Sequence, residues 1–288
     1  MTEPLKTVRR RFAEHVCAVA DTDWPELIAA FSAVPRERFV GPGPWTTFGA
    51  GLQREVTPDS DPRRLYNNVL IALDEAKGLN NGQPSFWAAL FDRLRPRPGE
   101  RTIHVGAGGG YYTAILAGLV GRMGRVIAME YEPELAAAAA KALADRPNVE
   151  VLAGDAHALV EGPADVIVAS CGFDDLPVAW VGALADGGRL MLPLTAASQL
   201  PGIGAGAVLL VTRRGPAFEA AFVSGTMIYH DKAGRSETAG ARLAQAFGFS
   251  PGAAWSPPKI ASLRLGGMPD ETCWLAGESW WLSTAPNP

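Results

Sequence analysis

The chain has 288 residues, 48% of them hydrophobic and only 19% charged. Soluble domains carry roughly 25% charged residues, so this composition excludes a chain disordered along most of its length. Twenty-six basic against 30 acidic residues leave a net charge of −4 and a pI near 5.6, which argues against a general nucleic-acid binder with its basic field. A chain of this length buries about three-quarters of its unfolded surface and needs no disulfides. Cys17, Cys171 and Cys273 are odd in number and far apart, which is neither a disulfide framework nor a metal cluster. No segment approaches the roughly 20 apolar residues that span a bilayer, and Arg9-Arg10-Arg11 is followed by no apolar run. The expectation is a soluble cytoplasmic protein with no metal, no membrane and no nucleic-acid partner.

Residues 1–33 read as helical, with Val8, Phe12, Val16 and Val19 at three- and four-residue steps and a second stripe of Leu27, Ile28 and Phe31 after Pro25. From Pro35 to about Gly82, glycines and prolines punctuate the text, which predicts loops with short elements between them. A helix follows Pro84 as far as Leu94. Strand and helix patterns then alternate: strands at Thr102–Val105, Arg125–Met129, Val149–Leu152, Asp165–Ala169 and Arg189–Leu192, helices at Tyr112–Val120 and Glu134–Leu143. That alternation predicts an α/β fold, a doubly wound and mostly parallel sheet. After Pro193 the text changes to strands at Ala207–Thr212 and Phe218–Tyr229 around an Arg213-Arg214-Gly215 turn, a helix at Ser236–Phe247, and a tryptophan-rich tail of short antiparallel strands. The expected division is an N-terminal helical and loop cap over 1–83, an α/β core over 84–213 and a β-rich extension over 214–288.

The segment Thr102-Ile-His-Val-Gly-Ala-Gly-Gly-Gly-Tyr-Tyr112 carries the functional signal. A strand ends at Val105, and Gly106, Gly108 and Gly110 form a turn that feeds a helix. Glycine permits positive φ and close backbone approach, and a helix start offers free N–H groups to an anionic ligand. The dinucleotide fingerprint G-x-G-x-x-G fails here, because its last position falls on Tyr111. The G-x-G-x-G spacing instead resembles the cofactor loop of class I S-adenosylmethionine-dependent methyltransferases. Glu130, at the end of the second strand, is placed to accept hydrogen bonds from ribose hydroxyls, and Asp155, after the third, to meet an adenine amino group. Acidic residues at successive strand ends are where open α/β sheets bind ligands.

The chain further resembles the protein-L-isoaspartate O-methyltransferases. Val34-Pro-Arg-Glu-Arg-Phe-Val40 looks like that family's opening motif, Asn81-Gly-Gln-Pro84 stands where the family has an Ile-Ser-Gln-Pro-like motif, and Gly187-Gly188-Arg189 with Pro193 is similar to its late Gly-Gly-Arg-Leu…Pro strand. The match runs over roughly residues 5–195 and is silent for the C-terminal third. By position, the resemblance implies that S-adenosyl-L-methionine is held by His104, Gly106, Ala107, Gly108, Gly110, Tyr111, Glu130, Tyr131, Gly154, Asp155, Ala156 and Ser170. It implies an acceptor-site loop at Gly82 and Gln83, with no general base. Two departures stand out: the family's serine beside the methyl acceptor is Gly82 here, and the acidic residue two positions before the first loop glycine is His104.

The implied reaction is O-methylation of an Asp or isoAsp carboxylate in a protein or peptide, one dedicated peptide included. A carboxylate with a pKa of about 4 is already ionised at neutral pH, so alignment and desolvation carry the chemistry. An aspartyl methyl ester is a better electrophile than the carboxylate, and the next backbone nitrogen can close on it as a succinimide. The alternatives are a methyltransferase for a small metabolite and a non-catalytic peptide-binding relative. Base methylation of nucleic acid is disfavoured, because Ser170-Cys-Gly-Phe173 stands where such enzymes carry an Asn/Asp-Pro-Pro-aromatic motif. Asp174-Asp175 reads as the cap of the following helix, and the tail tryptophans as core.

Overall fold

The computed structural model describes residues 3–159, 162–249 and 255–287. In chain order its elements begin with helices α1 (Leu5–Val19) and α2 (Pro25–Ala33), strands β1 (Thr46–Phe48), β2 (Arg54–Val56), β3 (Leu70–Asp74) and β4 (Leu79–Asn80), and helix α3 (Pro84–Leu94). Then come β5 (Arg101–Val105), α4 (Tyr111–Val120), β6 (Arg125–Glu130), α5 (Pro133–Ala142), β7 (Val149–Ala153), α6 (Ala156–Leu159), β8 (Ala164–Ala169) and α7 (Val178–Gly182). The last third holds β9 (Leu184–Ala197), β10 (Ile203–Arg214), β11 (Ala217–Tyr229), α8 (Glu237–Phe247), β12 (Ser262–Leu265), β13 (Cys273–Ala276) and β14 (Trp280–Ser283). Two compact units are defined, Met1–Glu100 with Ala107–Gly154, and Arg101–Gly106 with Asp155–Pro288.

In the first unit, α1 buries Val8, Phe12, Ala13, Val16 and Cys17, a stripe at helical spacing. Helices α2, α3 and α5 each open on a proline, whose missing N–H costs nothing in the first turn. Helix α4 is buried on nearly every side, from Tyr111 through Ala117 and again at Leu119 and Val120. Strands β6 and β7 pair in parallel, Val126 opposite Val149 and Glu130 opposite Ala153. The region expected as loops contains a small sheet in the order β2-β1-β3-β4, registered by Thr46–Val56 and Thr47–Ile71. Val40, Trp45, Leu65 and Ile71 form its core. Strands of two to five residues are too short to show an alternation in sequence, which is why this sheet reads as loop.

In the second unit, β5, β8 and β9 run parallel, with Thr102 opposite Val166 and Val166 opposite Arg189. Beyond β9 the strands are antiparallel in the order β9-β10-β11-β12-β14-β13. The α/β class therefore holds, with parallel pairing in the core strands and an antiparallel C-terminal extension. Strand β9 is much longer than the expected 189–192, because the glycines at 187 and 188 hide its start. Gly215 (φ 60°) makes the expected hairpin turn, and Ser236 caps α8 by accepting from the Ala239 N–H at 3.3 Å. The tail tryptophans are core. Trp280 and Trp281 are both 4% exposed, and Trp274 packs on Phe222 and Phe247 at ring distances of 5.2 and 5.4 Å.

Candidate functional site

The glycine turn has the backbone its sequence requires. Gly106, Gly108 and Gly110 sit at φ of 71°, 55° and 92°, a region L side chains rarely adopt. Gly109 is held for another reason: a Cβ there would lie 2.2 Å from the carbonyl oxygen of Phe39. The Phe39 carbonyl ends a 3-10 turn, Arg36–Phe39, that belongs to the Val34–Val40 motif. Arg36 is fully buried and donates to the carbonyls of Leu65 (2.5 Å), Asn67 (2.8 Å) and Val69 (3.2 Å), while its guanidinium stacks over the Phe12 and Tyr111 rings. That motif is thus a brace that seats the N-terminal segment on the glycine turn.

Also in the first unit, Glu130 is 7% exposed and holds two backbone donors: the Gly108 N–H on Oε2 at 2.6 Å and the Glu132 N–H on Oε1 at 3.0 Å. Its own carbonyl accepts from the Gly154 N–H at 2.9 Å, and the Met129 carbonyl accepts from the Ala107 N–H at 3.0 Å. Ala107, Gly108, Glu130 and Gly154 are therefore brought together by direct bonds. Gly110 caps α4 from the left-handed region. Tyr131 is 48% exposed. Tyr111 stands apart from these, because its ring is 2% exposed and packed edge-on against Phe31, Phe39 and Tyr112.

The acceptor loop lies in the same unit. Asn80 Oδ1 accepts from the Gly82 N–H at 2.8 Å, and Tyr112 Oη donates to the Gly82 carbonyl at 3.0 Å, tying the loop to the first turn of α4. Gly82 has φ 73°, and a Cβ there would lie 2.3 Å from Trp87 Nε1 and 2.9 Å from its Cδ1. The absent serine is thus not a simple truncation: the Trp87 indole occupies the space a side chain at 82 would need. Gln83 is exposed and precedes α3.

In the second unit, His104 is 1% exposed, with Nε2 at 2.8 Å from Ser170 Oγ. Burial pushes its pKa down to about 4, so the imidazole is neutral at physiological pH. The Ser170 N–H donates to the Val105 carbonyl at 2.8 Å, and a Cβ on Gly106 would stand 3.5 Å from Cys171 Sγ. Asp155 Oδ1 accepts from the His157 N–H at 2.8 Å, across Ala156. The Asp174 reading is corrected. Asp174 is 7% exposed and accepts from the Ser236 N–H at 2.8 Å, while α7 begins after Pro177 with no side-chain cap. Sequence reasoning missed the buried Arg36 and the carbonyl opposite Gly109, whose partners are remote in the chain, and the Trp87 contact with Gly82, which depends on how the loop turns into α3. Among the described residues no group of three His, Cys, Asp or Glu side chains could hold a metal ion, and no helix is long and apolar enough to cross a membrane.

A parallel α/β core, a glycine turn opening a helix, and acidic residues after the next two strands together define a class I methyltransferase. A family model described as protein-L-isoaspartate(D-aspartate) O-methyltransferase matches residues 22–201. The chain belongs to that family. It is 32% identical over 196 residues to the protein-L-isoaspartate O-methyltransferase 2 of Anaeromyxobacter sp. (strain Fw109-5), spanning 65% of this chain and 70% of the relative. A solved protein-L-isoaspartate O-methyltransferase superposes with a TM-score of 0.63 at 20% identity, covering 90% of this chain and 74% of that one. A second, from Plasmodium falciparum in complex with S-adenosyl-L-homocysteine, gives 0.60 at 17% identity, covering 78% and 99%. These two likenesses establish the fold.

Proposed function

We propose that the chain transfers a methyl group from S-adenosyl-L-methionine to an Asp- or isoAsp-type carboxylate of a protein or peptide. The observation that carries the reading is the bond from the Gly108 N–H to Glu130, which couples the glycine turn to the strand-end carboxylate. The residues fit the cofactor. An ionised carboxylate has about four acceptor sites, so Glu130, with two backbone donors, keeps capacity for two hydroxyls. Asp155 likewise commits Oδ1 and leaves Oδ2 for an amino group.

When bound, the cofactor supplies an electrophilic methyl on a sulfonium. Gly106, Ala107, Gly108 and Gly110 offer backbone to its amino-acid end, Glu130 and Tyr131 take the ribose side, and Gly154, Asp155 and Ala156 take the adenine. His104 and Ser170 form a neutral pair and hold no carboxylate toward the cofactor's ammonium group. We assign Tyr111 to packing rather than cofactor contact, on its burial among Phe31 and Phe39. No general base is required, because the acceptor carboxylate is already ionised; Gly82 and Gln83 border it as backbone and amide. One dedicated peptide is the second reading of the acceptor, because the Trp87 indole occupies the space that a side chain at position 82 would need. A reducing, cytoplasmic setting accords with the three free cysteines.

The test is equilibrium binding of S-adenosyl-L-homocysteine to the intact chain and to Glu130→Ala. Loss of at least tenfold in affinity is expected, the order set by removing hydrogen bonds to a charged group. Equal affinity in both proteins would remove Glu130 from the site.

A further inference from the structure

The segment that follows β11 lies across the turn that carries Asp155, and both belong to the second unit. His157 donates its backbone N–H to Asp155 Oδ1 at 2.8 Å, so the position of this residue fixes that carboxylate. Its ring is pinned in turn: Nε2 stands 2.9 Å from Asp231 Oδ2, and the face packs against Phe173 and Trp180 at 5.5 and 5.8 Å. Gly234 lies beside it, where a Cβ would come to 3.2 Å from Nε2.

The segment itself is fastened by polar bonds on either side of that contact. The Asp231 N–H donates to the Gly172 carbonyl at 2.9 Å. Arg235 donates to the carbonyls of Gly172 (3.3 Å) and Thr195 (3.0 Å) and faces Asp174 at 3.6 Å. The Ser236 N–H reaches Asp174 at 2.8 Å. A cavity of about 170 Å³ lies beside these fastenings, lined in part by His157, Phe173, Asp174, Asp231 and Arg235.

We propose that Asp231–Ser236 is a positioning strap: through the Asp231–His157 pair it fixes the Asp155 turn and thereby sets affinity for the adenine end of the cofactor. The inference rests on the reading of Asp155 as a cofactor residue. It gives the C-terminal extension, where the family resemblance is silent, a part in the methyltransferase site. Asp231 is a positioning residue, acting through His157.

The pair also makes the hold depend on pH. Three carboxylates face His157: Asp231 from the strap, Asp155 from its own turn and Asp174 from the loop after β8, the last beside Arg235. The bond to Asp231 in particular raises the His157 pKa. The bond is therefore charge-assisted at low pH and weakens as pH rises through the pKa of His157.

The experiment is calorimetric binding of S-adenosyl-L-homocysteine to the intact chain, to Asp231→Asn and to Asp231→Glu, at several values between about pH 6 and pH 8.5. No binding by the unmodified chain refutes the cofactor reading itself. Given binding, the proposal expects affinity in the unmodified chain to fall with rising pH. It expects Asp231→Asn to bind about tenfold more weakly at the low end with that slope lost, and Asp231→Glu to restore part of both. Turnover should show a raised KM for the cofactor with kcat within about twofold. Affinity of Asp231→Asn within twofold of the unmodified chain at every pH overturns the proposal, as does an equal loss at every pH accompanied by a lowered melting temperature. If Asp231→Asn does not fold, His157→Gln, which leaves the strap's backbone bonds in place, is read by the same criteria.

Discussion

Gly82 and His104 are the two residues at which the motifs read from the sequence depart from the resemblance, and each has a neighbour in the fold that bears on its identity. A serine at 82 must take φ 73° and displace the Trp87 indole from 2.3 Å. Strain of that kind costs about 2 kcal/mol, so Gly82→Ser should lower stability by roughly that amount in urea unfolding. Adding Trp87→Leu should give a double variant less destabilised than the sum of the two single changes, because they share one contact. Strict additivity would contradict the steric account. His104 is neutral in the folded chain, with a pKa near 4 against about 6.5 when unfolded. The unfolded chain therefore binds the proton first, and stability falls as pH drops below about 6.5. Between pH 7.5 and pH 5 the His104 contribution should amount to about 2 kcal/mol. The stability difference between the unmodified chain and His104→Gln should shift by that amount over the same range. A difference independent of pH would mean that the imidazole is protonated in place.

At the scale of elements, the brace made by Arg36 and the tie made by Tyr112 hold the glycine turn and the acceptor loop. Arg36→Met removes the donors to three carbonyls, one of them fully buried, leaves the Arg36 cavity without its cation, and should cost about 3 kcal/mol, measured by urea unfolding. Tyr112→Phe deletes the bond to Gly82 and should cost only about 1 kcal/mol, while raising KM for the peptide more than for the cofactor. The helices and core strands were legible in sequence because their periodicity runs for many residues: α3 after Pro84, α4 after the glycine turn, α5 in its alanines. The glycine turn and its following acidic residues were legible for the same local reason. The β1–β4 sheet was not, since no strand in it exceeds five residues. Nor were the contacts of Arg36 and Asp231, whose partners lie 29 to 33 and 74 residues away, distances at which side-chain pairing leaves no pattern to read, nor that of Trp87 with Gly82, which depends on the loop's turn into α3.

For the whole molecule, the C-terminal extension is a folded part of the second unit rather than a tail. Trp274 and Trp255 cover Phe247, Trp280 donates to Asp175 at 2.8 Å, and Asn287 donates to the Phe218 carbonyl at 2.8 Å. A chain ending at Phe249 would uncover those rings and the edge of β11, and should be recovered largely as aggregate by light scattering. The most direct measurement is transfer of radiolabelled methyl from S-adenosyl-L-methionine to a matched pair of peptides, one isoaspartyl and one aspartyl. Base-labile label on either peptide is the predicted result, because only a carboxyl methyl ester is lost in mild base, and the labelled peptide names the acceptor. Base-stable label, or no label on either peptide from a chain that binds the cofactor, would contradict methylation of aspartyl or isoaspartyl carboxylates in general peptides.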